Sequence, residues 1–200
     1  MHPDPTFRID DRTLHEALIA QVGFGMVFAA TPQGLRVGHT PLVPSGPDLV
    51  RFHLSSRNAL TPHLAGSEAL LLVNGPHAYV SPRWYPEPGE VPTWNYVALE
   101  MAGPVRTLDD GELEELLVAI GERHEARIEA GPAWEPAQVP QEDWDAMMGS
   151  ITGFELAVED WRPTFKLSQN KPVATRERVA DALAAEGAPA LAALMRRLVK

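Results

Sequence analysis

The 200-residue chain is 44% hydrophobic and 22% charged, which is enough for one domain with a real core and excludes disordered and fibrous classes. Its formal net charge of −10 opposes direct DNA binding, because a DNA-binding surface must neutralise phosphates with concentrated lysine and arginine. Cysteine is absent, so disulfides, thiolate metal sites and a cysteine nucleophile are excluded.

No apolar run reaches the length of a membrane span. The opening MHPDPTFRIDD lacks the basic-then-apolar order of an export signal, so a cytoplasmic location is expected. Val22 to Ala29, Leu35 to Val43 and Leu49 to Leu54 are separated by the turn sequences TPQG and PSGPD, and they predict an antiparallel meander. Ala69 to Asn74, continuing toward Val80, Tyr96 to Val105 and Thr152 to Trp161 add three strands. Six such strands commonly close into a small barrel, which removes exposed edges.

Between Asp109 and Glu129 the pattern is helical, with Leu113, Leu116, Leu117, Ile120 and His124 on one face and acids in the first turn. QEDWDAMM predicts a short helix. Two more are expected at the C-terminal end: one capped by Thr175 and ended by Gly187, the other formed by APALAALMRRLVK. The predicted class is mainly β with flanking helices (α+β), a six-stranded antiparallel split barrel. Residues 1–172 are read as the barrel domain and 173–200 as a helical extension. The proline-rich segments 82–92 and 132–140 are read as loops.

The segment from Gly75 to Val105 sets Tyr79, Trp84, Tyr85, Trp94 and Tyr96 around a proline-rich bend. Loops are normally polar, so these aromatics either seal a subunit interface or wall a flat ligand. In the third strand, alternation sends Phe52 and Leu54 to one face and Arg51, His53 and Ser55 to the other. The polar face runs into SSRN, whose hydroxyls, guanidinium and amide suit a phosphate cradle; the same residues also suit a helix cap followed by a surface arginine. FKLSQNKP crowds two lysines, a serine and two amides after an apolar strand, which fits either an anion site or a solvated turn. Walker, dinucleotide-fingerprint, paired-histidine metal and GxSxG patterns are absent from the sequence.

GPHAYVSPRWY, VPTWNYVALEMAGPV and KLSQNKP, in this order and spacing, resemble the PaiB family of FMN-binding negative transcriptional regulators, within the wider FMN-binding split-barrel group. HTPL followed by FHLSSRN is similar to the general split-barrel pattern. The resemblance implies a homodimer with two FMN sites at the subunit interface. Thr40, Pro41 and Leu42 would present backbone groups to the isoalloxazine edge, and His53, Leu54, Ser55, Ser56, Arg57 and Asn58 would form the phosphate end. Trp94, Asn95 and Tyr96 would lie beside the ring, and Lys166, Ser168, Gln169, Asn170 and Lys171 would complete the site. The family usually reads His-x-Ala-Arg-x-Asn-Pro where this chain has His53 to Ala59, so the arginine is displaced by one residue and the proline is lost. On a strand, that displacement would turn Arg57 to the opposite face, unless the strand has already ended.

Three functional readings follow: an FMN protein acting as weak oxidoreductase or redox sensor, a transcriptional regulator acting indirectly, or a cofactor-free dimeric barrel binding another ligand. No residue in the sequence stands out as a catalytic acid or base.

Overall fold

Alternation along the strands sets the architecture. In the computed structural model, which describes residues 2–198, Val50, Phe52 and Leu54 are buried while the intervening side chains face outward, as their period-two spacing requires. Met1, Val199 and Lys200, the last two belonging to the second helix expected at the C-terminal end, lie outside the described residues. In chain order the elements are α1 (Arg12–Val22), β1 (Phe24–Thr31), β2 (Gly34–Gly46), β3 (Leu49–Ser55), α2 (Thr61–Leu64), β4 (Glu68–Val80), β5 (Thr93–Thr107), α3 (Asp110–Glu125), α4 (Gln141–Met148), β6 (Ile151–Ala157), β7 (Asp160–Lys166), α5 (Val173–Ala185) and α6 (Pro189–Leu198).

The sheet runs β4-β1-β2-β3-β6-β5-β7, with β4 also paired to β5. β3 lies antiparallel to β6 from Leu49 opposite Ala157 to Ser55 opposite Ile151. The ladder returns to its start where Val105 donates its amide to the Ser67 carbonyl and accepts the amide of Gly66. Six strands thus form the expected ring, and β7 is added beyond β5.

Three elements differ from the sequence expectation. The segment Thr152 to Trp161 is not one strand but nearly all of β6 and the start of β7. At the break the Val158 amide turns to the Asp48 carbonyl and the Glu159 amide to that of Ala102. Gly103 makes this corner possible, since a Cβ there would stand 1.9 Å from the Ala157 carbonyl oxygen. Helix α1 was not expected. It starts where Asp11 Oδ1 accepts the Leu14 amide, and it buries Leu18 and Ile19. It ends at Gly23, whose φ of 68° and closeness to the His124 ring leave no room for a side chain, so β1 begins at Phe24 rather than Val22. Finally, Thr175 lies inside α5 and is buried. The N-cap is Pro172, whose extended backbone admits the helix without a side-chain cap. Gly187, at φ 90°, ends α5 as expected.

The chain divides into two compact units. The first holds residues up to His15, Asn74–Glu100 and Arg162 onward; Phe165, Leu167, Val179, Leu183, Leu191 and Met195 are buried within it, and Arg196 of α6 pairs with Glu177 and Asp181 of α5. The second holds Glu16–Val73 and Met101–Trp161. Its interior includes Phe52 stacked on Phe154 at 5.5 Å, and a cluster of Val43, Leu108, Leu113 and Leu116 carries the apolar face of α3, against which Leu117 and Ile120 also pack.

Candidate functional site

In the second unit, β3 ends at Ser55 and the chain turns through Ser56 and Arg57 before α2. Strand alternation therefore no longer governs Arg57, and the one-residue displacement does not send it to the opposite face. Ser55, Ser56 and Arg57 line one cavity of about 460 Å³ together with Ala146, Gly149 and Ser150. The turn is held from within. Asn58 Oδ1 accepts the Leu60 amide, Ser55 Oγ accepts the Arg57 amide, and the Thr61 hydroxyl donates to the Ser55 carbonyl. The Ser56 amide donates to the Ser150 carbonyl, and its hydroxyl lies 3.1 Å from that of Thr152. Asn58 thus caps the turn, while the exposed Arg57 guanidinium has no hydrogen bond or ion pair among the described residues.

Arg51, on the same strand, is bound on every side. It donates to Glu155 at 2.9 Å, Glu115 at 3.1 Å and Glu112 at 3.2 Å, and Arg106 joins Glu112 and Glu155. Hydrogen bonds from Arg106 and from the Asp109 amide hold the Glu112 carboxyl down to about 2. Burial alone would raise Glu155, but the hydrogen bonds and charges of Arg51 and Arg106 outweigh it and leave its pKa lowered. This network ties α3 to β3, β5 and β6.

The remaining second-unit residues are largely internal. The Thr40 hydroxyl donates to the His53 carbonyl at 2.5 Å, Leu42 and Leu54 are buried, and the Leu42 amide donates to the Gly23 carbonyl. Pro41 is half-buried and stands opposite Phe24. His53 is half-buried with Nδ1 unpartnered, and burial pushes its pKa down.

In the first unit, Trp94 is 47% exposed, stacks on His77 at 6.0 Å and donates Nε1 to His77 Nδ1; Tyr79 meets it edge-on. Tyr96 is half-buried. Asn95, Lys166, Ser168, Asn170 and Lys171 come together around a cavity of about 290 Å³, whose walls also include Phe7, Tyr85, Glu90 and Thr93. Gln169 does not line it. Its side chain closes the turn by accepting the Leu167 amide and donating to the Phe165 carbonyl.

The family model described as "Putative FMN-binding domain" matches residues 1–160. The chain belongs to this family. Its members' PaiB branch, which the sequence motifs resemble, is represented by the "Protease synthase and sporulation protein PAI 2" of Bacillus subtilis, 36% identical over 107 residues that cover 54% of this chain and 50% of that one. The chain spans about half the length of the first two curated relatives it matches. Among solved structures, the FAD and heme binding protein of Mycobacterium smegmatis aligns with a TM-score of 0.57 and 15% identity, covering 79% of this chain and 72% of that one. The flavocytochrome Anf3 of Azotobacter vinelandii aligns with 0.56 and 15%, covering 78% and 67%. The fold is the FMN-binding split barrel, and the family to which the chain belongs is described as FMN-binding.

The donor set at the β3 exit fits the cofactor's phosphate. The cavity is walled by three serines and an unpaired guanidinium, and no carboxylate is among its lining residues. Ser150 and Gly149 escaped the sequence reading. They reach this cavity because β6 pairs with β3 so that Ile151 stands opposite Ser55, a register that neither segment displays alone.

Proposed function

We propose that this chain is a flavin-dependent redox or sensor protein of the PaiB type, in which Ser55, Ser56 and Arg57 hold the FMN phosphate. The supporting observation is the uncompensated Arg57 guanidinium beside hydroxyl donors in a carboxylate-free cavity. Bound flavin supplies electron and hydride chemistry; the protein's part is to hold the anionic tail at the β3 exit, on the strand that carries the half-buried His53. A homodimer with flavin at the subunit interface, and transcriptional repression through a partner or metabolite rather than through direct DNA contact, complete the reading. The acidic balance supports the indirect route.

Titration of FMN, followed by flavin fluorescence quenching and by size-exclusion chromatography with light scattering, tests it. The expected outcome is one FMN per chain on a dimer, and at least about tenfold weaker binding for Arg57→Ala. Unchanged affinity in that variant would remove Arg57 from the phosphate site. A colourless protein that rejects added FMN would favour a cofactor-free barrel instead.

A further inference from the structure

One face of the sheet in the second unit is apolar and open to solvent. β1 pairs with β2 from Phe24 opposite Pro41 to Thr31 opposite Gly34, and with β4 from Met26 opposite Leu72 to Phe28 opposite Leu70. This register sets Leu72, Met26 and His39 in one row across three strands and Leu70, Phe28 and Val37 in the next, with Phe24 beside Pro41 and Ala30 beside Leu35 at the ends. The alternate residues Val27, Ala29, Leu71 and Val73 are buried, so the rows share the outer face. On that face Phe24 is 52% exposed, Val37 44% and Leu35 79%, while Met26, Phe28, Pro41, Leu70 and Leu72 are half-buried. Farther along β2 the same face is covered, since Val43 is buried with Leu113 and Leu116 of α3.

Three strands about 4.8 Å apart and about 20 Å long give such a face roughly 300 Å². Contiguous apolar patches of that size mark interaction sites on soluble proteins, and this one suits the apolar core of a standard interface, which buries about 800 Å² per partner inside a polar rim. Its charge selects the occupant. β1 carries no charged residue, and Glu68, at the start of β4, stands at the rim, so the face offers nothing for a basic or acidic partner to read. Twelve of the 27 acidic residues and two of the 17 basic ones lie between Asp109 and Asp145, so that segment holds the whole net charge of −10 and the rest of the chain is neutral. Two copies can therefore approach through this face without repulsion, and a flat uncharged patch is complementary to itself, as a two-fold interface requires. Pro41, at one end of the face, is also among the residues that the family resemblance sets at the isoalloxazine edge, so face and flavin site adjoin.

We infer that two copies of this chain meet through the outer face of β4, β1 and β2, with Met26, Phe28, Val37, Leu70 and Leu72 at the centre of the seam. This assignment gives a surface to the homodimer proposed above and rests on that reading.

Size-exclusion chromatography with light scattering, on the full chain with excess FMN added, tests it. The parent should run at twice the mass of one chain. The double variant Phe24→Glu/Val37→Glu should run at the mass of one, its dimer dissociation constant raised at least about hundredfold, because pairing would bury four carboxylates without partners. Both positions are exposed in the single chain, so its circular dichroism should not change. Met147→Glu, 40% exposed on α4, should remain dimeric. Because the chain has no cysteine, Val37→Cys and Met147→Cys each carry a single thiol at positions of similar exposure. In the dimer, maleimide should label Val37→Cys at least about tenfold more slowly than Met147→Cys. A dimeric double variant, equal labelling of the two thiols, or dissociation by Met147→Glu would overturn the choice of face and leave the homodimer reading in place. A monomeric parent would overturn both and give the face to a different partner.

Discussion

Arg51 and Arg57 belong to one strand and its exit, yet their charges are treated in opposite ways. Arg51 is 18% exposed and meets three carboxylates, and two of these, Glu112 and Glu155, are shared with Arg106. Arg57 meets none, although hydroxyls surround it. A cation balanced inside the protein fixes architecture, and removing one member leaves an uncompensated buried charge. A cation left unbalanced beside neutral donors is set for an anion from outside. In the sequence only Arg57 is assigned to an anion; the carboxylates on α3 and β6 show that Arg51 is balanced within the chain.

The largest effect should come from breaking the balanced cluster. Glu155→Ala leaves Arg51 and Arg106 without a shared, 7%-exposed partner and should lower unfolding stability by about 2–3 kcal/mol in urea denaturation. FMN affinity per folded molecule should stay within about twofold. Arg57→Ala should do the reverse, with FMN affinity falling about tenfold and stability unchanged within about 0.5 kcal/mol. Ser56→Ala, which removes one neutral hydroxyl from the same cavity, should cost about 1 kcal/mol of FMN binding.

The smallest effect is a pH dependence confined to the balanced cluster. Glu112 titrates near 4.5 when unfolded and at about 2 when folded, so the folded chain holds fewer protons between these values. Its stabilising contribution is complete above pH 4.5 and disappears as pH falls toward about 2. Glu155, whose pKa is also lowered, acts in the same direction. Acid denaturation followed by circular dichroism should show this loss, and Glu112→Gln should flatten the profile over that interval.

The strands were legible because alternation and proline or glycine turns mark them locally, as in Val50, Phe52 and Leu54. The corner at Val158 was not, because it depends on Gly103 of a distant strand admitting the Ala157 carbonyl. Helix α1 did carry a signal in Asp11, the apolar Leu14, Leu18 and Ile19, and Gly23, but its start lies in a segment without long apolar periodicity. At the candidate site, the local residues Ser55 to Asn58 could be named from the sequence and the family resemblance. Their division of labour could not: Asn58 spends its side chain on the turn while Arg57 keeps its own free, a difference set by hydrogen bonds formed only after folding. The orphaned oxygen of Asn95 was equally invisible, since it is defined by a partner that the fold withholds.

The most direct measurement compares FMN with riboflavin, which lacks the phosphate, by calorimetric titration of the parent protein and of Arg57→Ala. The expected result is that the parent prefers FMN by about tenfold or more, and that the preference collapses in Arg57→Ala while riboflavin affinity is retained. An equal loss for both ligands, or an undiminished preference for FMN in the variant, would contradict the assignment of Arg57 to the phosphate.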